Sequence, residues 1–281
     1  MRRYVIGGNW KMQVVTVNES VKIAQEIARG LSSVSTVEVF ISPSFNALYP
    51  VSQALKETRL NLAGQNMYTH DKGAFTGQIS ALSLVDAQCR YVLLGHSEPR
   101  RIFDEQDALI RQKLLKALDH KISPVLCIGE TARERESGQT TEVLHQQLAG
   151  SLKGLVMNQM KQIVIAYEPV WAINNKFLNP DTEIRPATPV EAREAHGITR
   201  EWLKNEFGSP IAEEISIIYG GSMNANNAKE LLSLNDIDGG LIGGASLSSE
   251  KFLRIIQFAA KLSGEQSTDY QWDSNTLRFK G

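Results

Sequence analysis

Eight short apolar, β-branched runs punctuate the chain, at residues 4–8, 37–42, 60–64, 91–95, 124–128, 162–167, 216–219 and 239–243. Most are separated by a stretch with helical period. In residues 17–31, Val21, Ala24, Ile27, Ala28 and Leu31 share one stripe, and similar stretches cover 106–119, 141–155, 190–207, 225–232 and 252–262. Strand and helix in alternation imply parallel strands joined by right-handed crossovers. Eight such units in 281 residues favour a closed α/β barrel of the (β/α)8 type over an open doubly wound sheet. An open sheet would carry a Gly-rich dinucleotide turn after its first strand; here the first strand runs into Gly7-Gly8-Asn9-Trp10-Lys11. Residues 1–262 read as a single barrel domain. The stretch 174–186, with charge, prolines and no periodicity, reads as a long loop after strand six. The polar residues 263–281, with scattered Tyr270, Trp272, Leu277 and Phe279, read as a C-terminal extension, either disordered or packed back through those apolar residues.

Charge narrows the partner. Thirty basic residues stand against 31 acidic ones with no basic stretch, which speaks against nucleic acid or a membrane surface and for a small molecule. Cys89 and Cys127 lie in or beside apolar runs without CxxC spacing and read as buried free thiols. The start has too short an apolar run for a signal peptide, and nothing approaches a membrane span. A soluble, cytoplasmic protein is expected.

In a barrel of this kind the chemistry belongs at the C-terminal ends of the strands. Strand one ends in Asn9-Trp10-Lys11, strand four in Gly95-His96-Ser97-Glu98, and strand six in Glu168. Strand seven ends in Gly220-Gly221-Ser222 and strand eight in Gly243-Gly244-Ala245-Ser246. Singly, each has an ordinary structural explanation: a solvated lysine, a strand-end histidine, a tight Gly-Gly turn. Their convergence on one rim selects the functional reading. Ile163, Val164, Ile165 and Ala166 form a strand buried on both faces, so Glu168 stands partly stripped of water at its edge, as suits a general base. His96 heads a short polar stretch in which Pro99 suits the first turn of a helix; a helix N-terminus favours the neutral imidazole, able to donate a hydrogen bond to a carbonyl oxygen. Lys11 supplies a point charge near substrate oxygens. The glycines after strands seven and eight allow backbone N–H groups to approach an anion, which implies a phosphate handle. The set points to proton abstraction next to a carbonyl, through an enediol-like intermediate. No metal-ligand cluster appears, and Glu130, after strand five, reads as a structural carboxylate.

Taken in order, Gly8-Asn9-Trp10-Lys11-Met12, Gly73-Ala74-Phe75-Thr76-Gly77, Leu94-Gly95-His96-Ser97-Glu98, Leu126-Cys127-Ile128-Gly129-Glu130-Thr131, Ala166-Tyr167-Glu168-Pro169-Val170-Trp171-Ala172-Ile173, Tyr219-Gly220-Gly221-Ser222 and Gly243-Gly244-Ala245-Ser246-Leu247 resemble the triosephosphate isomerase family. The resemblance covers residues 4–262. It implies the TIM-barrel fold and the interconversion of glyceraldehyde 3-phosphate and dihydroxyacetone phosphate, a step of glycolysis and gluconeogenesis, without a cofactor. By the same resemblance Glu168 moves the proton, His96 is the neutral electrophile, and Asn9 and Lys11 polarise substrate oxygens. Ser222, Gly243 and Gly244 would hold the phosphate. The family is a homodimer whose third loop reaches into the partner's site, and Thr76 matches the residue that makes that reach.

Three features depart from the family pattern. Where the family lid runs Ile-Gly-Thr-Gly-Lys, Ile173 is followed here by Asn174-Asn175-Lys176-Phe177, and Thr188-Pro189 arrives late, with Arg185 a candidate for the second hinge. Gln78 and Pro99 replace the Glu and Arg that pair across the family's dimer interface, a double change that strands no lone charge there. The extension after Ser263 is the third. The altered lid leaves open a paralogous isomerase of a four-carbon ketose phosphate, and a catalytically idle binding or assembly barrel is the reading of another class. Intact Asn9, Lys11, His96 and Glu168 argue against the latter.

Overall fold

The computed structural model describes residues 2–180, 185–264, 271–273 and 278–280. Eight strands, β1 (Tyr4–Asn9), β2 (Val37–Ser42), β3 (Asn61–Gly64), β4 (Cys89–Leu94), β5 (Ser123–Ile128), β6 (Val164–Tyr167), β7 (Ile217–Tyr219) and β8 (Gly239–Ile242), pair in sequence order and close into a barrel. Every pairing around the ring is parallel, including the closure of β8 on β1, where Val5 faces Gly239. That closure needs a glycine: Gly239 has φ +144°, and a Cβ there would lie 1.9 Å from the Val5 carbonyl oxygen. The eight expected runs are the eight strands, with ends shifted by at most two residues.

The crossovers are α1 (Val17–Gly30), α2 (Phe45–Ala54), α3 (Ala81–Asp86), α4 (Ser97–Ile102), α5 (Asp107–Asp119), α6 (Ala132–Glu136), α7 (Thr140–Leu152), α8 (Met157–Met160), α9 (Pro189–Phe207), α10 (Ser209–Glu214), α11 (Ala228–Leu232) and α12 (Ser249–Leu262). The apolar stripe of α1 buries Ile23, Ala24 and Ile27. Helix α9 starts sharply because Thr188 and Glu191 form a reciprocal capping box ahead of Pro189, a contribution of about 1 kcal/mol.

Two apolar layers result. Inside the barrel, Val5, Phe40, Tyr91, Leu93, Val125 and Cys127 pack with their neighbours, and the Phe40 and Tyr91 rings stack at 4.9 Å. Outside it, the helices cover the strands in one continuous core. At the N-terminal rim, Asp238 accepts Arg2 Nε and Arg200 Nη2, each at 2.7 Å, and the Ile217 N–H at 2.9 Å. This network knits β7, β8 and α9 to the N-terminus; removing one partner of such a buried set costs roughly 3–5 kcal/mol. Stability chemistry thus sits at the end opposite the glycine-rich rim, as the barrel reading requires.

Cys89 and Cys127 are free and buried, and burial alone holds the Cys89 thiol up at about 12. Among the described residues no helix is long and apolar enough to cross a membrane. In the C-terminal extension, β9 (Gln271–Asp273) and β10 (Arg278–Lys280) pair antiparallel. Tyr270 and Leu277, two of the apolar residues expected to pack the extension back, lie outside the described residues, as do 181–184 of the loop after β6.

Candidate active site

The C-terminal ends of β1, β4, β6, β7 and β8 surround a cavity of about 250 Å³ whose lining includes Asn9, Lys11, His96, Glu168, Ser222, Gly243 and Gly244. Seven residues singled out in the sequence, from five strands, therefore meet at one mouth. Thr76 does not join them. It is exposed on the loop between β3 and α3, where Tyr68, His70 and Phe75 pack ring on ring into a projecting finger. Gly73, at φ +147°, supplies the bend behind that cluster.

Glu168 follows β6 directly and is almost wholly buried, at 2% exposure. Its Oε2 accepts the Ser97 N–H at 2.9 Å, and its Oε1 lies 3.1 Å from His96 Nε2. His96 caps the N-terminus of α4, its Nδ1 accepting the Glu98 N–H at 3.2 Å. An Nδ1 that accepts leaves the proton on Nε2, so the ring that faces the cavity is a neutral donor. That donor points at Glu168, and a carbonyl oxygen entering between them would take it over.

Lys11 turns out of β1 through a left-handed backbone, φ +52°. Asn9 Oδ1 accepts the Lys11 N–H at 3.0 Å, and Gln65 Nε2 donates to the Lys11 carbonyl at 2.7 Å, so this turn is held from both sides. The ammonium is anchored by Glu98, Nζ to Oε1 at 2.9 Å. Burial pushes the Glu98 carboxyl up, but the groups around it, the Lys11 ammonium and the Asn175 amide among them, outweigh it and hold the group below its ordinary value. Glu98 is therefore a charged strut between the amine and the imidazole. Its spacing two residues after His96 was visible in the sequence; its pairing with Lys11 was not. Gln65 gave no sequence signal.

The glycines divide by purpose. A Cβ on Gly220 would lie 2.6 Å from Glu168 Cγ, and one on Gly221 would lie 2.2 Å from the Tyr219 hydroxyl oxygen. These two make room for protein. A Cβ on Gly243 would meet nothing closer than Lys11 Cε at 3.9 Å and one on Gly244 nothing within 4 Å, so their backbone faces open space. Ser222 donates from Oγ to the Ala172 carbonyl at 2.8 Å, which joins the β7 rim to the loop after β6.

The base of that loop is fixed. Glu130, wholly buried after β5, accepts the Tyr167 hydroxyl and Trp171 Nε1 from one oxygen, both at 3.0 Å. Burial raises its carboxyl above the ordinary value despite those donors. The structural reading of Glu130 holds. Arg185 pairs with both oxygens of Glu191 at 2.6 and 2.7 Å and lies over the Trp171 ring, 4.7 Å from its centroid. Among the described residues no cluster of metal-ligating side chains forms.

Fold and site together define a βα-barrel enzyme whose one cavity gathers a carboxylate, an imidazole and an amine with an open glycine-rich cradle. A family model described as triosephosphate isomerase matches residues 4–259. A triosephosphate isomerase of Chloroherpeton thalassium (strain ATCC 35110 / GB-78) is 44% identical over 260 residues, 92% of this chain and 100% of that protein. One of Syntrophotalea carbinolica (strain DSM 2380 / NBRC 103641 / GraBd1) is 42% identical over the same shares. One of Protochlamydia amoebophila (strain UWE25) is 44% identical over 255 residues, 91% of this chain and 93% of that protein. The chain belongs to the triosephosphate isomerase family.

Proposed function

We propose that the protein interconverts glyceraldehyde 3-phosphate and dihydroxyacetone phosphate, with Glu168 as base and His96 as neutral electrophile. The observation that carries this is the approach of Glu168 Oε1 to His96 Nε2, 3.1 Å apart in one cavity with Lys11. A substrate seated with its carbonyl oxygen toward His96 Nε2–H and Lys11 presents the adjacent carbon to Glu168. Glu168 takes that carbon's proton and the electron pair moves onto the oxygen as an enediolate; the neighbouring hydroxyl proton passes to that oxygen by way of His96 Nε2, and Glu168 returns its proton to the former carbonyl carbon as the neighbouring oxygen becomes the new carbonyl. Asn9 sets the Lys11 turn and adds a polar group at the same oxygens. Ser222 and the N–H groups of Gly243 and Gly244 hold the phosphate in the open cradle, a role that the free space beside the two glycines supports. No cofactor takes part.

A direct assay of both directions of the triose reaction tests the reading, with a tetrulose phosphate run alongside. Turnover confined to the four-carbon sugar would replace it with the paralogue reading, and none on either sugar would favour an idle barrel. Glu168→Asp draws the carboxylate back by about one carbon–carbon bond and should lower kcat by at least about 10²-fold with the fold intact. Unchanged turnover would remove Glu168 from the mechanism.

The working unit is a homodimer in which Thr76 reaches the partner's cavity. Its own exposure, and that of Phe45, Tyr49, Leu82, Val85, Ile102 and Phe103 on successive βα units, support this. Sedimentation as a monomer at micromolar concentration would refute it. The catalytic domain is 1–262, with 263–281 appended, and the compartment is the reducing cytoplasm, which the two free thiols suit.

A further inference from the structure

The loop after β6 brings a side chain of its own to the rim. Asn175 donates from Nδ2 to Glu98 Oε1 at 2.8 Å, while its Oδ1 accepts the Phe177 N–H at 2.9 Å. The two bonds fix the amide: turned over, its oxygen would face a carboxylate and its NH2 would face an N–H. The Asn175 carbonyl accepts the Asn179 N–H at 3.0 Å. Buried Asn179 in turn donates to the carbonyls of Val170 and Ile173, at 2.8 and 3.1 Å. Three bonds thus fold the tip onto its own base and leave one amide pointing outward, at Glu98. The oxygen it reaches is the one that also takes the Lys11 ammonium.

We propose that Asn175 is a positioning residue for the isomerisation: it steadies Glu98 from the loop side, and Glu98 steadies Lys11, so that loop placement and amine placement are set together. The inference rests on the function proposed above. Glu98 and Lys11 are each about one-fifth exposed, so without the amide water enters beside their ion pair and weakens it. Hydrogen bonds to a charged partner are stronger than neutral ones, which gives the single amide its leverage.

Asn175→Asp and Asn175→Ala separate this role from loop integrity. The charged and titratable groups facing Glu98 are Lys11 from the turn after β1 and His96 from the end of β4, with Glu168 of β6 behind the ring. An aspartate at 175, ionised across the neutral range, adds a second carboxylate that repels Glu98 and competes for Lys11. Expected for glyceraldehyde 3-phosphate is a kcat/KM lowered about tenfold or more in Asn175→Asp and about three- to tenfold in Asn175→Ala, with Asn175→Gln, whose amide still donates, within about twofold of the parent. Trypsin should cut after exposed Lys176 faster in Asn175→Asp and Asn175→Ala than in the parent. Asn175→Asp and Asn175→Ala both within twofold of the parent, or Asn175→Gln as impaired as Asn175→Ala, would overturn the proposal. A parent inactive on triose phosphates would sink the functional reading instead; the tether would then be judged by trypsin, and cleavage of Asn175→Ala no faster than the parent would refute it.

Discussion

Gly220→Ala tests the site through a residue that lines the cavity but brings no side chain to it. The position needs no left-handed backbone, so alanine is conformationally allowed and the added methyl is the whole perturbation. That carbon would lie 2.6 Å from Glu168 Cγ and 3.2 Å from the Tyr167 carbonyl oxygen. Carbon atoms rest at about 3.5–4.0 Å, so the first contact is short by about 1 Å. The backbone cannot easily supply the difference, because the Gly220 N–H is bonded to that same carbonyl at 2.7 Å. The Glu168 side chain must yield, and its carboxylate leaves the positions set by Ser97 and His96. A misplacement of about 1 Å at a reacting group costs on the order of 10² in rate, about 2.7 kcal/mol of barrier. Overpacking removes a further ~1–3 kcal/mol of stability, which a large barrel tolerates. A coupled assay of triose phosphate turnover should show kcat down about a hundredfold with KM little changed, since the cradle at Ser222, Gly243 and Gly244 is untouched. A kcat within threefold of the parent in a folded Gly220→Ala protein would refute the claim that Gly220 sets the placement of Glu168.

A second glycine gives the opposite sign. Gly197 lies within α9 with nothing within 4 Å of where a Cβ would stand, so Gly197→Ala should stabilise by about 0.5–1 kcal/mol and raise the thermal midpoint by roughly 1–4 °C. A lowered midpoint would refute it. His196, wholly buried on the same helix with Nδ1 on the Asp236 carbonyl, is held down at about 3 by its burial, against an ordinary 6.5. The unfolded chain therefore binds the extra proton first. The stability this neutral ring preserves is complete above pH 6.5 and is lost as pH falls toward 3, on the order of 2–3 kcal/mol by pH 4.5. His196→Gln, which cannot titrate, should narrow the difference in urea midpoint between pH 7 and pH 4.5; an unaltered difference would assign the acid sensitivity elsewhere.

The barrel was legible because its eight strands are mostly buried on both faces and so read as largely apolar runs. The helices after β2 and β3 were not. Helix α2 carries Pro50 in its interior, and α3 is only six residues long, too short for a period to show. Catalytic candidates were legible because strand ends fix their place: Asn9, Lys11, His96 and Glu168 needed only the topology to converge. Relations between side chains on different loops were not. Gly220 and Gly221 read as partners for an anion, whereas the first vacates space for Glu168 and the second for Tyr219. Asn175 read as the loss of a glycine tip, and only three-dimensional proximity shows the gain of a bond to Glu98. Pairings of this kind depend on where two loops meet, which no local pattern encodes.

The clamp on Trp171 reaches beyond that ring. With Trp171 tied to Glu130 and Ile173 buried behind it, Asn175 sits two residues from a fixed point and can range only about 7 Å from it. On the other side, Asn179 bonds back to Val170 and Ile173, and Arg185 lies over the same indole. One ring therefore anchors both arms of this segment, and loosening it would release Asn175 and Arg185 together.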